Sequence, residues 1–159
     1  MRTYFKRRIL VVEKKKVHRV LIVFSKFNSF LGEKLVEATK KALTENKILT
    51  EEITELEVPG ALEIPYATKK GILRFNPEVV ITCGLIIRGE TIHFDLIANS
   101  TTNELLKLSL DLEVPIINCI LSTENVEQAI ERTGINSNNK GYQAGLSAIE
   151  MLNLKQKLS

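Results

Sequence analysis

Val20-Leu21-Ile22-Val23-Phe24 is an unbroken apolar run, rich in β-branched residues. It lacks the alternation of a half-exposed strand, so it predicts a strand buried on both faces. A polar turn follows, Ser25-Lys26-Phe27-Asn28. The period then changes. Leu31, Leu35, Ala38, Ala42 and Leu43 share one helical face, with Glu33, Lys34, Glu37, Lys40 and Lys41 outside, which predicts a helix over about 30–46.

The same succession recurs downstream. Residues 53–58 read as a partly alternating strand, broken by Pro59-Gly60. Residues 63–74 read as a helix, with Pro65 tolerated in its first turn. After Asn76-Pro77, residues 78–83 form a second buried strand ending at Gly84. Arg88-Gly89-Glu90-Thr91 is a polar loop, and a long helix covers about 93–112. Residues 115–121 form a third buried strand, and Ser122-Thr123 caps a helix near 124–131. A polar loop at 134–139 precedes a last helix over about 141–154. Strands alternating with helices predict an α/β fold: a three-layer αβα sandwich on a mostly parallel, flavodoxin-like sheet. The expected organisation is a single domain, 1–159, with a basic N-terminal arm at 1–17.

Composition excludes several classes. With 44% hydrophobic residues among 159, the chain is too apolar for a disordered one and long enough to bury its own core. Its apolar runs are only a few residues long, far short of the roughly 20 a membrane span needs, and no secretory signal is evident. Eight of the 22 Lys and Arg residues and one of the 19 acids fall in residues 1–20. That segment therefore carries +7 and the remainder −4, of the net +3. Positive charge confined to an arm points away from nucleic acid. Cys83 and Cys119 read as buried, reduced thiols of a cytoplasmic protein. His18 and His93 lie far apart with no ligand cluster, which argues against a bound metal.

In parallel α/β sheets, ligands bind beyond the carboxyl ends of the strands. Four segments should converge there: 25–28, 58–63, 85–93 and 121–123. Phe27, an aromatic in a polar turn, suits stacking on a planar ligand or on a neighbouring subunit. Asn28 offers both a donor and an acceptor to a heterocycle. Glu63, after a rigid turn, compensates a helix N-terminus or accepts hydrogen bonds from ligand hydroxyls. The amides near Glu90 and Thr91, at the start of the long helix, form an anion site. His93 at its mouth can serve as acid and base, or can merely cap the helix. Arg88 has Glu90 and Asp95 as potential partners. Arg132 suits phosphate through its planar fork, and Lys140 follows a loop; both also suit a helix C-terminus. No dinucleotide fingerprint, P-loop or nucleophile elbow occurs.

Four blocks together resemble the 6,7-dimethyl-8-ribityllumazine synthase family, over about residues 18–154. They are Phe27-Asn28; Val58-Pro59-Gly60-Ala61-Leu62-Glu63-Ile64-Pro65; Gly84-Leu85-Ile86-Ile87-Arg88-Gly89-Glu90-Thr91-Ile92-His93-Phe94-Asp95; and residues 122–132 with Asn139-Lys140-Gly141. The resemblance implies the penultimate reaction of riboflavin biosynthesis. In it 5-amino-6-(D-ribitylamino)uracil condenses with 3,4-dihydroxy-2-butanone 4-phosphate, releasing phosphate and water, with no cofactor and no metal. It implies that Phe27 stacks on the pyrimidine and that Ala61, Leu62 and Glu63 line the ribityl and pyrimidine site. Leu85, Ile86 and Ile87 then supply strand-end contacts, Glu90, Thr91 and Arg132 hold phosphate, His93 moves protons, and Lys140 lies near the ring.

Two positions depart from the family, where aromatic residues are common: Leu62, and Asn118, which the resemblance places in the site across a subunit boundary. The resemblance also implies a pentamer with shared sites, an N-terminal segment paired with a neighbour's sheet, and a functional link to riboflavin synthase. Some members assemble pentamers into icosahedral capsids, and the short 134–140 connection carries no insertion that would block this. Two other readings use the same scaffold: an archaeal-type riboflavin synthase joining two lumazines, and a non-catalytic flavin- or lumazine-binding shell protein. The phosphate determinants speak against the first. The intact His93, Glu63 and Arg132 speak against the second.

Overall fold

The computed structural model describes residues 19–134 and 138–159. Four strands, β1 (Val20–Ser25), β2 (Ile53–Val58), β3 (Val79–Ile87) and β4 (Ile116–Thr123), form one sheet in the order β2-β1-β3-β4. Every pairing is parallel. Among the described residues five α-helices accompany them: α1 (Ser29–Glu45), α2 (Ile64–Phe75), α3 (His93–Leu112), α4 (Val126–Arg132) and α5 (Lys140–Leu158). Short 3-10 turns at Thr50–Glu52 and Ala61–Glu63 precede β2 and α2.

The central position of β1 explains its unbroken apolar run. Val20 and Ile22 pack with Leu35, Leu43, Ala148 and Leu152 of α1 and α5 on one face. Leu21 and Val23 pack with Ile64, Ile72, Phe94 and Leu105 of α2 and α3 on the other. Helices thus cover both faces of the parallel sheet, the flavodoxin-like αβα arrangement that the strand–helix alternation predicts. None of the described helices is long and apolar enough to cross a membrane.

Helices α1 and α5 approach closely at Gly145, where a Cβ would lie 2.6 Å from the Ala42 methyl and 2.8 Å from the Thr39 carbonyl oxygen. Below them Cys83 and Cys119 are register partners, both buried and free. Hydrogen bonding to Cys83 and burial push the Cys119 thiol well above its ordinary range.

Two local expectations are corrected. The third strand in chain order does not stop at Gly84 but runs on to Ile87. Gly84 is a packing residue there, because a Cβ would approach the buried Ser25 hydroxyl to 2.9 Å. The cap of α4 is Asn125, whose Oδ1 accepts from the Gln128 amide at 2.9 Å; Thr123 is the last residue of β4. The basic arm, His18 and the expected pairing of the N-terminal segment with a neighbour lie outside the described residues.

Candidate active site

Three of the four expected segments meet at the carboxyl end of the sheet, around a cavity of about 480 Å³. The β1 turn supplies Phe27, 69% exposed. Backbone bonds present it: Lys26 N–H donates to Val58 O at 2.8 Å and Phe27 N–H to Pro59 O at 3.0 Å. These bonds dock the β1 turn on the end of β2, beside the Ala61, Leu62 and Glu63 that line the cavity. Glu63 precedes α2 at its N-cap position, and its carboxylate accepts no hydrogen bond among the described residues.

The extension of β3 past Gly84 carries Leu85, Ile86 and Ile87 into the cavity wall. Gly89, Thr91 and His93 follow from the next loop and the first turn of α3. The helix begins at His93, so the Glu90 and Thr91 amides stand just ahead of it, with no partner among the described residues. The helix dipole adds positive potential at this end. Thr91 Oγ1 accepts from His93 N–H at 3.3 Å. The His93 side chain is exposed and its imidazole has no hydrogen-bond partner among the described residues. An unpartnered imidazole beside free amides suits proton transfer next to a bound anion.

Asn28 is not among the residues that line the cavity. Its φ of 61° is left-handed, and its Nδ2 donates to Leu85 O at 2.9 Å. That donor, expected to meet a ligand, instead ties the β1 turn to β3. Glu90 is exposed on the loop and is not a lining residue.

The fourth segment stands outside the cavity. Arg88 N–H donates to Thr123 O at 2.9 Å, so the end of β4 holds the loop from behind. Arg88 joins Asp95 through two hydrogen bonds, of 2.9 and 3.0 Å, and Glu124 through one of 2.6 Å. Glu90 is not its partner. The hydrogen bond from Arg88 holds the Asp95 carboxyl below the usual carboxylate range.

Within one chain Asn118, Arg132 and Lys140 do not reach the cavity. Asn118 is exposed on the edge strand β4, with Oδ1 accepting from Ile120 N–H at 3.0 Å. Arg132 ends α4 and donates to Gln128 O at 3.0 Å; Lys140 opens α5 and donates to Gln143 at 3.0 Å. All three lie on β4 or on helices packed against it.

Four residues that the sequence reading did not single out for the site, Gly60, Gly89, Phe94 and Ile97, also line the cavity. Ile97 lies three residues after Phe94 and four after His93, spacings that put it beside each of them on α3. Among the described residues no group of three or more His, Cys, Asp or Glu could hold a metal ion.

A family model described as 6,7-dimethyl-8-ribityllumazine synthase matches residues 17–156. The chain is similar to the 6,7-dimethyl-8-ribityllumazine synthase of Chlorobaculum tepidum, 42% identical over 137 residues, covering 86% of this chain and 88% of the relative. It is 46% identical over 136 residues to the protein of that name from Chlorobium phaeovibrioides, with the same coverage. The protein of that name from Kosmotoga olearia is 39% identical over 140 residues, covering 88% of this chain and 90% of the relative.

Proposed function

The chain belongs to the 6,7-dimethyl-8-ribityllumazine synthase family, and from that premise we propose how its cavity makes the lumazine. The protein is an enzyme of riboflavin biosynthesis, acting at the penultimate step. In our reading it condenses 5-amino-6-(D-ribitylamino)uracil with 3,4-dihydroxy-2-butanone 4-phosphate and releases phosphate and water.

The observation that carries this reading is the convergence of Phe27, Glu63, Thr91 and His93 around one cavity. Phe27 stacks on the pyrimidinedione, whose edges meet the backbone of Leu85, Ile86 and Ile87. Ala61 and Leu62 line the wall, and the unpartnered Glu63 carboxylate accepts from ribityl hydroxyls. The free Glu90 and Thr91 amides receive the phosphate, and His93 moves the protons. Holding two substrates in contact supplies most of the acceleration and proton transfer adds less.

Family membership implies an oligomer, and the placement of Asn118, Arg132 and Lys140 supports shared sites. In our reading a neighbour's set completes each cavity: Arg132 for the phosphate, Asn118 and Lys140 for the ring. The assembly is a pentamer, or a capsid built of pentamers. We further read residues 1–159 as one domain with a basic arm at 1–17. The protein acts in the cytoplasm, a placement supported by its two free, buried cysteines.

Mixing the purified protein with both substrates should generate lumazine absorbance and fluorescence. A rate no higher than the uncatalysed one would sink the proposal. Conversion of lumazine alone to riboflavin would favour the riboflavin synthase reading, for which no structural observation speaks.

A further inference from the structure

Arg88 is the most heavily engaged side chain beside the cavity, yet it is not among the residues lining it. Its Nη1 and Nη2 grip both oxygens of Asp95, at 2.9 and 3.0 Å, and its Nε meets Glu124 at 2.6 Å. Its backbone N–H is bonded to Thr123 O. The guanidinium also lies 4.2 Å from the centroid of the Phe94 ring, which is itself a lining residue.

These contacts join three separate pieces of chain. Asp95 belongs to the first turn of α3. Thr123 and Glu124 lie where β4 leads into α4. Arg88 is the first residue after β3. Between Arg88 and Asp95 runs the segment that carries Gly89, Thr91 and His93 to the cavity. Among the described residues that segment has few bonds of its own: Thr91 Oγ1 accepts from His93 N–H, and the Glu90 and Thr91 amides are unpartnered.

Isolated surface ion pairs contribute little. A two-point guanidinium–carboxylate grip extended to a second carboxylate is the geometry in which they do contribute, and it fixes orientation as well as distance. Amides that must face an anion act best when already in place, because ordering them on binding weakens affinity.

We propose that Arg88 is a positioning residue for phosphate recognition: by gripping Asp95 and Glu124 together it closes the 88–95 segment into a clamp that presents the Glu90 and Thr91 amides to the phosphate. This rests on the reading of that loop as the phosphate site. Arg88 touches neither substrate, and its effect passes through the loop. Ring and ribityl recognition fall to other segments, at Phe27, 61–63 and 85–87, so the effect is confined to one substrate.

The test is steady-state kinetics on the assembled enzyme, with inorganic phosphate as a competing probe. Arg88→Gln should raise the KM for the butanone phosphate and the inhibition constant of phosphate by about tenfold, leaving the KM for the pyrimidinedione within about twofold. Arg88→Lys, which keeps the charge but not the fork, should recover only part of the loss. Glu124→Gln keeps the Asp95 grip and serves if Arg88→Gln does not assemble; it should shift the same two constants by a smaller factor. Equal rises in both KM values, or no change in either, would overturn the proposal. A wild-type enzyme insensitive to inorganic phosphate would overturn the anion reading of the loop, and this proposal with it.

Discussion

Asn28 Nδ2 donates to the carbonyl oxygen of Leu85 at 2.9 Å, across 57 residues of sequence. This bond fixes the turn that bears Phe27 against the strand end that floors the cavity. Asn28 does so from a left-handed backbone, φ 61°, which Asn and Gly tolerate better than other residues. Leu85 is 2% exposed, so its carbonyl would have no solvent in exchange. Asn28→Gly should lower stability by about 1 kcal/mol through the lost bond. Asn28→Ala should cost about 2 kcal/mol, because backbone strain is added. Denaturant unfolding at fixed protein concentration measures both; equal losses would refute the strain term.

The α1–α5 contact predicts opposite signs for two similar substitutions. Gly145→Ala forces a methyl against Ala42 and the Thr39 backbone, and overpacking of this kind costs about 1–3 kcal/mol. Gly32, within α1, has only the Ser25 carbonyl within reach among the described residues, at 3.8 Å. Gly32→Ala should therefore stabilise by up to about 1 kcal/mol through helix propensity alone. Thermal or denaturant melts of the pair decide the matter.

His93→Ala should slow turnover by about one to two orders of magnitude, the contribution expected of a general acid–base group. Because the imidazole has no described protein partner, the fold should be unaffected, and near-ultraviolet circular dichroism should match that of wild type. A kcat within twofold of wild type would remove His93 from the chemistry.

Arg132→Ala should weaken inhibition by inorganic phosphate about ten- to hundredfold, the range for losing a charge-assisted hydrogen bond. Subunit mixing separates the two placements of this residue. If a neighbour completes the site, hybrids of Arg132→Ala with His93→Ala should recover some activity, since some sites hold both intact residues. No recovery in hybrids of demonstrated mixed composition would place Arg132 and His93 in the same subunit's site.

Cys119 supplies a pH signature. Its folded pKa is raised, so its contribution to stability is complete below the unfolded thiol value of about 8.5. That contribution is lost as pH climbs from there through the folded value. Unfolding free energy should fall above that point by up to about 1.4 kcal/mol per pH unit for this thiol. Cys119→Ala should show a correspondingly shallower fall, and identical slopes would refute the assignment.

Local periodicity encodes which way a side chain faces, and that much is legible in one dimension. The β1 run is apolar throughout because helices cover both sheet faces, and the 3.6-residue pattern after it marks α1. Where a single residue has two readings, the one-dimensional signal fails. Gly84 reads as a break and is a packing residue, because the neighbour it accommodates, the Ser25 hydroxyl, comes from another strand. Thr123 reads as a cap and ends a strand, because its pairing with Ile87 depends on a register set elsewhere.

The sequence by itself determined the parallel αβα scaffold and the residue types of the candidate site, since burial pattern and chemical identity are properties of the chain. The tertiary structure decided which of those residues meet. Phe27, Glu63 and His93 share a cavity because the order β2-β1-β3 sets their strand ends side by side. Asn118, Arg132 and Lys140 stand apart from it, on β4 and on the helices packed against β4. The pairing of β3 with β4 also brings Glu124, 36 residues along the chain, to Arg88. Strand order and register are collective properties of the packed sheet, and no local pattern states them.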